Sequence, residues 1–270
     1  MKKLLFATCM GVLMLLSSCT SCKVNTATTN SVKNRKVQKL IDRAREGDAE
    51  ACKSLAICYR DGNGVEKSLI NMVYMYEMYC NRSGEDVDNI VELFEEGEPF
   101  RLFCEILDIA EYNSEADAKF KQLELLAPIE AKAITAAMDI SAGKEVEQAF
   151  ETIKVAEAQG SEAAVIFQII RFEKEENETD YEKYLHKVAV KYPFLYQKLG
   201  AMAVRKYHSS QDFSDIRKAM EYYYKADEHG MLSHKYAYAL LNIYEYFGKK
   251  GMLQSNEEEN SRLAKLSKME

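Results

Sequence analysis

The sequence predicts an all-α protein, and three observations carry that prediction. Breakers are scarce, with 3 Pro and 12 Gly in 270 residues, whereas an all-β chain needs a turn roughly every 8–12 residues. Three stretches end on glycine with the same small residues behind it. Cys80, Ala156 and Ala226 stand four positions before Gly84, Gly160 and Gly230, and Val73, Ala149 and Ala219 stand eleven positions before. A spacing of seven keeps both positions on one helix face, where a neighbouring helix can approach closely. The glycine then ends the helix, because it takes the left-handed cap conformation without strain. The third observation is a second apolar pattern ahead of such stretches. It runs Ala51, Leu55–Ala56, Tyr59 in one place and returns as Leu199–Gly200 in another.

In chain order, Lys2 and Lys3 precede an apolar run, LLFATCMGVLMLL, from Leu4 to Leu16. That run is shorter than the about 20 residues a membrane-spanning helix needs, and it has the length of a signal-peptide core. Leu16-Ser17-Ser18-Cys19 follows at once and resembles the lipobox of bacterial lipoproteins. The resemblance implies that residues 1–18 are a signal peptide and that Cys19 receives the lipid (palmitate among its chains). Thr20 in second position implies the outer membrane, facing the periplasm, as the destination. Residues 19–35 are rich in Thr, Ser and Asn, lack an apolar period and are expected to form a flexible tether.

Residues 36–270 are expected to form the folded body. In full, its two helix patterns resemble the Sel-one-like repeat, a relative of the tetratricopeptide repeat. The first half is best kept at Ala51, Leu55, Ala56, Tyr59, Gly62, Gly64 and Val65. The second is best kept at Asp215, Lys218, Ala219, Tyr222, Tyr223, Ala226 and Gly230. The resemblance implies a right-handed solenoid of antiparallel helical hairpins, about six of them, each contacting its neighbours. The long interval from Gly47 to Gly97 leaves room for an extra helix, expected near residues 86–96.

The G-x-G of Tyr59-Arg-Asp-Gly-Asn-Gly-Val-Glu invites a phosphate-loop or metal-loop reading. A phosphate loop follows a strand and continues into G-K-[ST], and here a helical pattern precedes and Val65–Glu66 follow. An EF-hand loop has oxygen ligands at alternate positions and Glu at the twelfth; counted from Asp61, Val65 and Met72 break that series. The loop is read as a turn between helices.

No catalytic constellation emerges. The four histidines, His186, His208, His229 and His234, include no pair at i, i+3 or i, i+4, and runs such as Glu257-Glu258-Glu259 read as solvated helix faces. Neither a metal site nor a cofactor is expected, and the chain is read as a binding protein rather than an enzyme. Removing Lys2 and Lys3 takes the formal charge from −7 to −9, which disfavours nucleic acid and a polybasic grip on lipid. Cys52 and Cys80 come level across the first expected hairpin. Two readings of them stay open: a disulfide, or Cys80 simply filling the small-residue position.

Three function classes follow. A protein-interaction scaffold is the first, because stacked hairpins offer a long concave surface, which the resemblance implies is lined by the first helix of each hairpin. Lys198, Arg205, Lys235 and Tyr236 are the expected contacts for an acidic protein or peptide partner. A glycan or peptidoglycan-fragment binder is the second, suggested by the 17 tyrosines. A hydrolase acting on cell-wall or β-lactam substrates is the third; some relatives have been linked to that chemistry, and no residues here carry it.

Overall fold

The computed structural model describes residues 30–108, 114–174, 177–254 and 256–269. Among them lie thirteen α-helices, two 3-10 helices and no strand, so the body is all-α as expected. Residues 1–18, where a signal peptide is expected, and Cys19 lie outside the described residues. The first helix begins at Asn30, inside the stretch 19–35 that the sequence assigns to a tether.

The body divides into two compact units. Unit 1 comprises residues 68–70 and 88–178, and unit 2 comprises residues 27–67, 71–87 and 179–270, each as far as it is described. Unit 1 contains α4 (Pro99–Asp108), α5 (Ser114–Leu126), α6 (Pro128–Ser141), α7 (Val146–Ala158) and α8 (Glu162–Lys174). Each packs on the next described helix, and α6 also reaches α8. Pro128 opens α6, where its missing N–H is not needed. The small residues predicted to face a neighbour do so, with Ala149 and Ala156 buried on α7 together with Ile153. Where an extra helix was expected near residues 86–96, the chain forms the shorter 3-10 helix Val87–Leu93.

A chain of buried carboxylates ties unit 1 together. Glu130 of α6 accepts hydrogen bonds from the Ser161 hydroxyl and from the N–H groups of Glu162 and Ala163, both at 3.0 Å. It thereby caps the start of α8, whose first N–H groups have no partner inside the helix. Glu162 does the same one step further on. Its Oε2 accepts from the N–H groups of Leu69 (2.7 Å) and Ile70 (3.0 Å), the first residues of α3 (Leu69–Ser83). Burial raises the Glu130 carboxyl above its ordinary range, and the three donors oppose that rise.

Unit 2 holds α1 (Asn30–Arg45), α2 (Ala49–Asp61), α3 beyond Ile70, α9 (Glu178–Val188), α10 (Tyr196–Ser210), α11 (Phe213–Asp227), α12 (His234–Lys249) and α13 (Glu257–Leu266). Asp48 caps α2 by accepting from the Ala51 N–H at 3.1 Å, and Asp212 caps α11 by accepting from Ser214 at 2.8 Å. The G-x-G is indeed a turn: Gly62 closes α2 with φ 68° and its N–H donates to the Cys58 carbonyl. The α10–α13 core gathers Ala219, Tyr223, Leu240, Phe247 and Leu263. Gly200, in mid-α10, has a packing reason. A Cβ there would stand 2.4 Å from Cε1 of Tyr223, a ring only 1% exposed.

The most distant parts of the unit 2 sequence meet in space. Asp227, 1% exposed, accepts from the Arg262 guanidinium through both oxygens (3.1 and 2.9 Å) and from Arg45 Nε (3.0 Å). Arg262 also donates to the Arg45 carbonyl and to both oxygens of Glu259. The Tyr74 hydroxyl donates to the Met231 carbonyl (3.1 Å) and accepts from Gln197 (2.6 Å). The Asp227 and Arg262 contacts join α1 to α11 and α13.

Candidate functional site

The four residues expected to meet a partner lie in unit 2. Lys198 and Arg205 are seven positions apart on α10 and therefore share a face; Lys235 and Tyr236 open α12. Arg205 and Lys235 are exposed, whereas Lys198 and Tyr236 are half-buried. Tyr223 of α11 joins the two helices. Its ring lies 5.6 Å from that of Tyr236, and its phenol is raised by burial and further by Tyr236, with the Arg205 charge opposing. Lys235 Nζ stands 5.5 Å from the Tyr236 ring centre. Lys235, Tyr236 and Tyr223 thus form a cation–tyrosine row whose Tyr223 end feels the Arg205 charge, and Lys198 stands two helical turns before Arg205.

A second aromatic group in unit 2 was not singled out as such from the sequence. The rings of Tyr196 (α10) and Tyr222 (α11) lie within 11° of parallel, 6.3 Å apart. The Tyr222 hydroxyl is 3.2 Å from His186 Nε2. Lys225 Nζ sits 5.5 Å and 5.6 Å from the two ring centres and is held at 2.7 Å by Glu221. Two tyrosines, an imidazole and an ion pair are therefore presented together from three helices.

Unit 1 carries a groove of about 390 Å³ between α6 and α7, reached also by Glu124 at the end of α5. Ala131, Ala136 and Ala149 make its walls low, and Lys132, Asp139, Glu145 and Gln148 stand around it. Glu145 has the left-handed backbone conformation, φ 41° and ψ 41°, ahead of α7. Nothing in the local sequence announces it, because Gly143 already supplies the turn.

The cysteine alternatives resolve only as far as the thiols. Cys52 and Cys80 are buried and free in the structure. Cys52 Sγ accepts a 3.0 Å hydrogen bond from Arg82, which also donates to the Ala44 carbonyl. The Cys80 thiol is raised to about 11, chiefly by burial and then by Glu85, Asp86 and Glu77. Among the described residues no group of three or more His, Cys, Asp or Glu side chains is arranged to hold a metal ion, and no helix is long and apolar enough to cross a membrane. Neither the family models nor the curated proteins compared with the chain give a match.

Proposed function

We propose that the protein is a bacterial envelope lipoprotein, held by lipid on Cys19 at the outer membrane and facing the periplasm. Its body is a solenoid of Sel-one-like hairpins that serves as a protein-interaction scaffold. It binds a partner and carries out no catalysis. The observation that supports this most directly is the cation–tyrosine row of unit 2. Tyr236 offers a half-buried aromatic anchor beside the exposed Lys235, and the charge of the exposed Arg205 acts on the adjoining Tyr223. Aromatic and arginine side chains are the residues that most often dominate protein interfaces. On a chain of net negative charge, a local basic row steers an acidic peptide or chain terminus toward it.

Reversing Lys198, Arg205 and Lys235 together to Glu tests the site. The expected outcome is loss of binding to an acidic fluorescent peptide and loss of crosslinking to envelope partners, with helical circular dichroism unchanged. Undiminished binding would remove the row from the proposal. Cys19→Ser tests the anchor separately. A single acyl chain holds a protein only marginally, whereas several hold it firmly, so the variant is expected in the soluble fraction. Cys19→Ser protein that still sediments with membranes counts against lipid anchoring.

A glycan-binding reading is favoured by one observation, the near-parallel Tyr196 and Tyr222 with His186 and Lys225 beside them. Ring faces stack on sugars, and the imidazole and ammonium offer hydrogen bonds to hydroxyl or carboxylate groups. A glycan array probed with the parent and with Tyr196→Ala/Tyr222→Ala separates this reading from the scaffold.

A further inference from the structure

We propose that the groove between α6 and α7 of unit 1 binds an extended basic peptide segment. Its chemistry is opposite to that of the row in unit 2. Glu124, Asp139 and Glu145 stand around it against the single cation Lys132. Among the described residues, none of these three carboxylates has an ion-pair or hydrogen-bond partner. Elsewhere in the same unit Glu105 is held by both Arg101 and Lys119, and Glu151 by Lys154. The groove therefore concentrates negative charge that the chain itself does not neutralise.

The lining is mixed, with slightly more apolar than polar surface. The Thr135 hydroxyl donates back to the Ala131 carbonyl (3.0 Å) and that of Thr152 to the Gln148 carbonyl (2.9 Å), so neither hydroxyl proton is offered to a ligand. Apolar residues continue beyond the ends. Leu126 is 41% exposed just before Pro128, and Val155, 55% exposed, lies one turn past Thr152 on the same face of α7. From Pro128 to Asp139 the wall runs about 16 Å at 1.5 Å per residue, the length of roughly five extended residues. A segment with lysine or arginine among aliphatic side chains matches charge, lining and length together. An acidic segment would meet like charge.

Glu145 supplies an internal check. Its left-handed backbone would suit glycine better, so the chain keeps a carboxylate at the groove at some cost in stability.

The test is fluorescence anisotropy with the full chain in detergent. The probe is a fluorescein-labelled hexapeptide of two lysines among leucine and alanine, and the control replaces lysine with glutamate. The lysine peptide is expected to bind and to weaken with added salt. Glu124→Gln/Asp139→Asn/Glu145→Gln is expected to bind it about tenfold less tightly, each exposed charge pair contributing about two- to threefold. Glu145→Gly is expected to raise the melting temperature while weakening binding, a combination that simple misfolding cannot produce. The triple reversal in unit 2 should leave this binding unchanged, so failure here and failure of the scaffold site are distinguishable. Equal binding of the two peptides overturns the proposal, as does a Glu145→Gly protein that is stabilised but binds normally. Spermidine that displaces the peptide with equal affinity would show charge alone at work and would overturn the peptide assignment.

Discussion

Asp227→Ala is expected to be among the most damaging single substitutions in unit 2, and its cost can be worked from the contacts. The carboxylate is 1% exposed, and Arg262, its main partner, is 9% exposed. Removing one member of such a buried pair typically costs about 3–5 kcal/mol, because the other charge stays buried without its counter-ion. Arg262 here keeps Glu259 and the Arg45 carbonyl, which sets the loss near the lower end, about 3 kcal/mol. Arg45 is 36% exposed and can turn to water, so its share is under about 1 kcal/mol. A loss of about 3 kcal/mol lowers the melting temperature by roughly 6–12 °C in a body of this size. Differential scanning calorimetry reads that shift directly. The decisive comparison adds Arg262→Met. With both charges gone, neither is left buried without the other, and the double variant should be at least about 1 kcal/mol more stable than the sum of the two single losses. Strict additivity, or a shift below about 2 °C for Asp227→Ala, would refute the reasoning.

Gly200→Ala should destabilise despite the gain of about 1 kcal/mol that alanine normally brings to a helix interior. The new Cβ meets the buried Tyr223 ring at 2.4 Å, and overpacking of about 1–3 kcal/mol wins; a raised urea midpoint would show that the ring can move. Glu130→Ala leaves the Ser161 hydroxyl and two N–H groups without their acceptor, a loss of about 3 kcal/mol or more, measurable as a lowered thermal transition of unit 1. The Arg262 hydrogen bond holds the Glu259 carboxyl below its ordinary value of 4.5. The stability this adds is fully present above the unfolded value and is lost as pH falls through the lowered one. Urea midpoints between about pH 5 and about pH 3 should therefore fall less steeply in Glu259→Gln than in the parent.

Much of the helical layout was legible because its signals are local. Gly84, Gly160 and Gly230 all adopt positive φ just beyond helices, and the residues four and eleven positions before them are all buried. The places of the expected partner residues were readable as well, since i, i+7 spacing puts Lys198 and Arg205 on one face of α10 and Lys235 and Tyr236 open α12. Other features were hidden for physical reasons. Asp227 looked like one of many solvated acids, and only the approach of Arg45 and Arg262 makes it a buried anion. No periodicity reports a contact across 182 positions. Glu162 likewise seemed an ordinary first-turn acid of α8, where it in fact caps α3. The groove was missed because its walls are alanine and threonine, which read as unremarkable helix.

The meeting of α1 with α11 and α13 also bears on how the chain is made. Synthesis runs from the N-terminus, so α1–α3 emerge long before Asp227 and Arg262 exist. Residues 88–178 can complete unit 1 with the already synthesised residues 68–70 in that interval, while the end of α1 waits for its partners on α11 and α13. Closing so long an intervening stretch adds only modest entropy per doubling of its length, but contacts this distant in sequence form late. The contacts between α1, α11 and α13 thus stay unmade until Arg262 has been added. Truncation before Arg262 would leave Asp227 without its main counter-ion and the Arg45 end of α1 without that dock.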